Sequence, residues 1–94
     1  MIKDLKTRSV HRAKIIEGQL KALIAQIESE AYCVDIITQS LAIQKSLASL
    51  NKLILENHLR THLTTMLHSD NEAEHDKAVA EMVHLYELTN IRSK

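Results

Sequence analysis

The chain has 94 residues, a formal net charge of zero, one glycine, no proline, one cysteine and, as its aromatic residues, two tyrosines. Composition dominated by Leu, Ile, Ala and Val without helix breakers argues against a sheet and for an all-α fold, and a single cysteine excludes an internal disulfide framework and suits a reducing compartment. No apolar run reaches the roughly 18 residues of a membrane span, and the basic start Met1-Ile2-Lys3-Asp4-Leu5-Lys6 lacks the apolar core of a secretory signal, so a cytoplasmic protein without membrane contact is expected.

One domain over residues 1–94 is the natural division, and a chain this small sits near the lower limit for a self-sufficient core, which oligomerisation commonly remedies. The first helix is predicted from about Leu5 to Ile27, with Val10, Ala13, Ile16, Leu20, Leu23 and Ile27 as its apolar stripe. Gly18 lies inside it, at a cost of about 1 kcal/mol relative to alanine, and suggests close packing against a neighbour. Charge is unevenly distributed: residues 1–21 carry net +4, residues 22–44 net −3, residues 45–60 net +2 and residues 61–94 net −3. A basic first helix and a basic mid-second helix are the footprint of a polyanion-binding face that the zero average conceals. Ordinary solvated helix faces would give the same asymmetry in many small helical proteins.

Ser29-Glu30-Ala31 is the only plausible break before a second helix, and a connection so short implies two adjacent antiparallel helices. The second helix is predicted with Ser29 or Glu30 near its amino end and Cys33 in its first turn, and runs to about Leu67. Its apolar positions, Ile36, Ile37, Leu41, Ile43, Leu47, Leu50, Leu53 and Ile54, form a band too wide for one partner helix, so a second chain is expected on the other side. His68 to Glu72 is the next punctuation, where Ser69 and Glu72 fit a capping box. A short third helix over Asn71 to Leu88 is expected to bury Val79, Met82, Val83 and Tyr86, followed by a frayed end.

Cys33, His58 and His62 carry the chemistry. Each has a bland reading, because a lone cysteine is usually a small apolar residue and a histidine pair is usually surface decoration. Together they read as a three-ligand metal site: two imidazoles four residues apart share one helix face. Thiolate and imidazole suit Cu(I), Zn(II) and Ni(II). An unbroken helix separates Cys33 from His58 by 25 residues, or roughly 37 Å at about 1.5 Å per residue, so ligand bonds of about 2.0–2.3 Å cannot reach one ion from both in the same chain. Two copies running antiparallel, crossing near Ser46 and Leu47, bring Cys33 of one beside His58 and His62 of the other, twice per dimer. His11, His68, His75 and His84 read as ordinary polar positions, with His11, His68 or His75 as a possible accessory ligand. Catalysis finds no support, since no oxyanion loop or glycine-rich turn accompanies the cysteine and histidines.

Arg12-Ala13-Lys14-Ile15-Ile16-Glu17-Gly18-Gln19-Leu20, Tyr32-Cys33-Val34-Asp35-Ile36, Gln39, Ala42, Ile43 and Asn57-His58-Leu59 together resemble the copper-sensitive operon repressor (CsoR/RcnR/FrmR) family of bacterial metal-sensing transcriptional repressors, over about residues 5–88. The resemblance implies a three-helix subunit, an antiparallel dimer, and a homotetramer built as a dimer of dimers. It implies that the metal-free protein binds double-stranded operator DNA and that an inducer weakens that binding. Arg12, Lys14 and Lys52 match the family's basic positions, and Tyr32 and Glu81 match residues that link the ligand histidine to the third helix in its copper branch. The copper sensors use Cys, His and Cys, so His62 departs from the usual thiolate and admits Ni, Co or Zn beside Cu(I). Nickel and cobalt sensors add a histidine near the amino terminus, formaldehyde sensors a proline at position two, and persulfide sensors a second cysteine; this chain has none of these, which ranks a copper-responsive repressor first, a nickel- or cobalt-responsive one second and a formaldehyde-responsive one third. A helical interaction module with a structural zinc is the reading from a different class.

Overall fold

In the computed structural model, which describes residues 1–68 and 70–89, every regular element is helical. Helix α1 spans Lys3–Glu28, α2 spans Cys33–His58, a π-helical turn covers Leu59–Leu63, α3 spans Thr64–Leu67 and α4 spans Glu72–Thr89. The expected all-α, three-helix subunit is therefore present, because α2, the π-turn and α3 follow one another without a non-helical residue. Among the described residues no helix is long and apolar enough to cross a membrane. The chain divides into two compact units, Met1–Asn57 and His58–Lys94.

In the first unit, α1 and α2 form a hairpin. Its turn is a Schellman closure: the Ala31 amide donates to the Gln26 carbonyl at 2.9 Å and the Glu30 amide to the Ile27 carbonyl at 3.1 Å, pairings that satisfy the orphan carbonyls of a helix end. Glycine is the usual residue at the left-handed position of this motif. Here Glu30 occupies it, with φ of 53°. Two bonds fix the antiparallel register further along, from the Gln39 side-chain amide to the Gln19 carbonyl at 3.1 Å and from the Ile2 amide to Asn57 Oδ1 at 2.9 Å.

The packed stripe of α1 differs from the expected one. Leu5, Ser9 and Ile16 are buried, and Arg12, Gln19, Leu23 and Gln26 are half-buried beside them, whereas Val10, Leu20 and Ile27 are exposed. Steps of three and four residues hold in both sets; the α1–α2 contact simply falls on the more polar edge of a wide apolar band. On α2 the packed positions are Ile36, Ile43, Leu50, Leu53 and Asn57, and Val34, Ile37, Leu41, Leu47 and Ile54 face outward. Among the described residues, and apart from its chain neighbours and the backbone of its own helix, no atom comes within 4 Å of a Cβ built on Gly18, so the close packing expected there is not made by the described part of this chain.

In the second unit, Asn71 caps α4 by accepting the Ala73 amide at 2.8 Å; such a side-chain acceptor satisfies one of the helix's orphan donors. The expected capping box relies on Ser69, which lies outside the described residues. The packed face of α4 consists of Ala78, which is 0 % exposed, with His75, Glu81 and Leu85 half-buried. Val79, Met82, Val83 and Tyr86, expected in the core, are exposed instead. They flank the packed positions on α4 rather than joining them.

Candidate metal centre and nucleic-acid interface

Cys33 is the first residue of α2. The Tyr32 carbonyl just before it receives the Asp35 and Ile36 amides at 2.9 and 3.2 Å, which starts the helix and fixes the cysteine on its first turn. The thiol is free and exposed, so Cys33 is not a small apolar core residue. Tyr32 is exposed as well, at 72 %.

At the other end of α2, His58 and His62 come together. Their ring centroids lie 5.6 Å apart with planes inclined by 36°. His58 is the last α-helical residue and His62 sits inside the π-turn, a kind of local widening that recurs at functional sites. Glu81 of α4 reaches His58, with Glu81 Oε2 3.2 Å from His58 Nε2. A carboxylate only accepts, so Nε2–H is the donor of this bond and Nδ1 is the ring nitrogen that Glu81 does not occupy. Metal-binding histidines are commonly oriented in this way, by a carboxylate on the ring nitrogen that does not face the ion. Both partners are partly open to solvent, His58 at 29 % and Glu81 at 37 %.

The helix expected between Cys33 and His58 is unbroken. With about 1.5 Å of rise per residue, its two ends cannot share an ion within one chain. Among the described residues of a single chain, no group of three or more His, Cys, Asp or Glu side chains is arranged to hold a metal ion. His68 is exposed and His75 half-buried, and His75 Nε2 is buried without a hydrogen-bond partner.

The basic residues gather on the first unit. Thr7, Arg8, His11 and Arg12 of α1 and Ser49, Lys52, Leu53 and Glu56 of α2 line one cleft of about 690 Å³. Arg12 and Lys52, picked out in the sequence, are thus brought to one place. Lys14 is exposed but does not line the cleft. Arg8 and His11 join the cleft without having been singled out for it. Arg8 lies one helical turn before both His11 and Arg12 on α1, and that spacing together with the hairpin register is the signal that would have found them.

Residues 5–87 match the metal-sensitive transcriptional repressor family, and the chain belongs to that family, one of transcriptional repressors rather than enzymes. Among its relatives, the copper-sensing transcriptional repressor CsoR of Mycobacterium tuberculosis is 40 % identical over 60 residues, covering 64 % of this chain and 50 % of that protein. The copper-sensing repressor CsoR of Mycobacterium ulcerans is 43 % identical over 58 residues, covering 62 % of this chain and 50 % of the relative. CsoR of Bacillus subtilis is 27 % identical over 81 residues, covering 86 % and 77 % respectively. The chain thus spans about half the length of the mycobacterial relatives it matches.

Proposed function

We propose that this protein is a copper-responsive repressor that binds operator DNA in its metal-free form and releases it when Cu(I) is held by Cys33 of one subunit and His58 and His62 of another. The observation that carries the reading is the pair of ends of α2: an exposed thiol on the first turn, and at the last turn two clustered imidazoles, one of them fixed through Nε2 by Glu81. One thiolate and two imidazoles form a donor set suited to Cu(I), with Zn(II), Ni(II) and Co(II) as the competing ions. The copper-sensing relatives favour copper among these. Tyr32 precedes the thiol directly in the chain, and Glu81 holds the His58 ring through Nε2, which leaves Nδ1 as the nitrogen to meet the ion.

The two ends of α2 meet only if two chains run head to tail, and the outward apolar faces of α1, α2 and α4 supply the surface for that dimer and for a dimer of dimers. A face carrying Val34, Ile37, Leu41, Leu47 and Ile54 on one helix is more apolar surface than a small monomer ordinarily leaves open to water. All 94 residues act in this scheme as one sensing and DNA-binding domain.

On the DNA side, Arg12 and Lys52 in the cleft, together with the exposed Lys14 of α1, neutralise backbone phosphates of duplex DNA. A surface with few side chains suited to base edges reads DNA through backbone position and shape, and its affinity falls steeply with salt. Release follows only if the ligand set is better formed in the conformation that fits DNA poorly; equal affinity for the two conformations would shift nothing.

The test is a DNA-binding titration of reduced protein against Cu(I), Zn(II), Ni(II), Co(II) and formaldehyde. The proposal predicts release by Cu(I) at the lowest free concentration, and loss of that response in Cys33→Ala with DNA binding retained. A protein that binds no duplex at moderate salt, and whose dimer dissociates on chelation, would instead be a helical module with a structural zinc.

A further inference from the structure

Asn57 is a buried polar residue, 6 % exposed, in the last turn of α2. Its side-chain oxygen accepts the backbone amide of Ile2, 55 residues away, at 2.9 Å. Ile2 is the N-cap residue of α1, with φ −60° and ψ 128°, and provides no side-chain cap of its own. Its carbonyl in turn receives the Lys6 amide at 2.9 Å. Asn57 therefore acts as a remote cap on the helix that carries Arg8 and Arg12. A helix start without a local cap frays easily, and here, beside the buried Leu5, the cap is supplied by a side chain of the other helix.

The position of that side chain gives it a second role. Asn57 is joined by one peptide bond to His58, and the π-turn begins one residue further on. A side chain in the final α-helical turn follows any change in helix winding at its end, because the helix is a stiff element with discrete hydrogen-bond registers. We propose that the Asn57–Ile2 bond is the latch through which ligation at His58 and His62 reaches the basic cleft: a change at the end of α2 withdraws the Asn57 oxygen, frees the first turn of α1, and misaligns Arg8 and Arg12 against Lys52. This inference rests on the copper-responsive reading above. It assigns Asn57 as a positioning residue that touches neither metal nor DNA.

The experiment compares wild type, Asn57→Ala and Asn57→Asp for DNA affinity with and without Cu(I), for Cu(I) affinity, and for hydrogen exchange of the Lys6 amide. Allosteric coupling typically amounts to about 5–150-fold in affinity. In Asn57→Ala the ratio of DNA affinities is expected to fall below about threefold, with Cu(I) affinity close to wild type and Lys6 exchange in the metal-free protein accelerated. Asn57→Asp keeps an acceptor oxygen, and its charge at a helix N-terminus is favoured by the dipole, so it should restore most of the ratio. Independently of both variants, loading wild type with Cu(I) should accelerate Lys6 exchange. An undiminished ratio in Asn57→Ala, an Asn57→Asp variant as uncoupled as the alanine, or Lys6 exchange in wild type indifferent to Cu(I) would overturn the latch while the repressor reading stands. Wild-type DNA binding indifferent to Cu(I) would remove that reading, and the latch with it.

Discussion

Glu81→Ala removes the carboxylate that holds the His58 ring. The two atoms are 3.2 Å apart and both side chains are about a third exposed, so solvent screens the pair and its worth to folding is small, about 0–1 kcal/mol. Its worth to metal binding should be larger. With the carboxylate gone, the ring can rotate, and Nε2 and Nδ1 compete for the proton and for the ion. Loss of such an orienting partner typically lowers metal affinity about 10–100-fold, or about 1.4–2.7 kcal/mol. Glu81→Gln, which keeps an acceptor oxygen but not the charge, should fall between wild type and alanine. Competition of the reduced protein against a Cu(I) chelator of known affinity measures the difference, and urea unfolding at fixed protein concentration measures the stability change. Copper affinity in Glu81→Ala within twofold of wild type would refute the reasoning, as would an equal loss of stability and affinity, which would make Glu81 a folding residue only.

Arg12→Ala should weaken DNA binding across sequences and lower the slope of log affinity against log salt by about 1; Cu(I) affinity measured in parallel should stay near wild type. Gly18→Ala should raise stability by about 1 kcal/mol in chemical unfolding, since a helix gains from alanine and no atom of the described residues obstructs the new methyl group. A loss of stability there would show a second copy packed against the glycine. Glu30 holds a φ of 53°, a left-handed conformation that costs an L residue roughly 1–2 kcal/mol. Glu30→Gly should therefore stabilise the hairpin by about 0.5–1 kcal/mol after the entropy of glycine is deducted, visible as a raised urea midpoint.

Element boundaries were legible in the sequence because their causes are local. Neither proline nor glycine interrupts residues 33–58, and the Ser29-Glu30-Ala31 turn and the Asn71 region carry the polar residues that end and start helices. Facing was legible only in part. The apolar bands of α1 and α4 are wide enough that periodicity alone does not say which edge a single chain covers, and the structure uses the more polar edge of each, Ser9, Arg12 and Gln19 on α1 and His75 and Glu81 on α4. The candidate ligands stood out through residue type and spacing. Glu81 could be attached to His58 only through family resemblance, because nothing in a chain of 94 letters ties positions 58 and 81. Asn57 stands out in the sequence only as part of the Asn57-His58-Leu59 motif, and its bond to Ile2 was not legible for a related reason: the partner is a main-chain amide, and a backbone donor leaves no mark in the sequence.

The claim on which the account turns is that the thiol and the imidazoles of one site belong to different chains, and mixed dimers test it directly. Cys33→Ala subunits are paired with subunits carrying both His58→Ala and His62→Ala, the mixed dimer is isolated through two different tags, and tightly bound Cu(I) is counted against the chelator. A site shared across chains leaves one intact ligand set, so the account predicts one tightly held Cu(I) per mixed dimer, while dimers of either variant alone hold none. A mixed dimer that also holds none would contradict it.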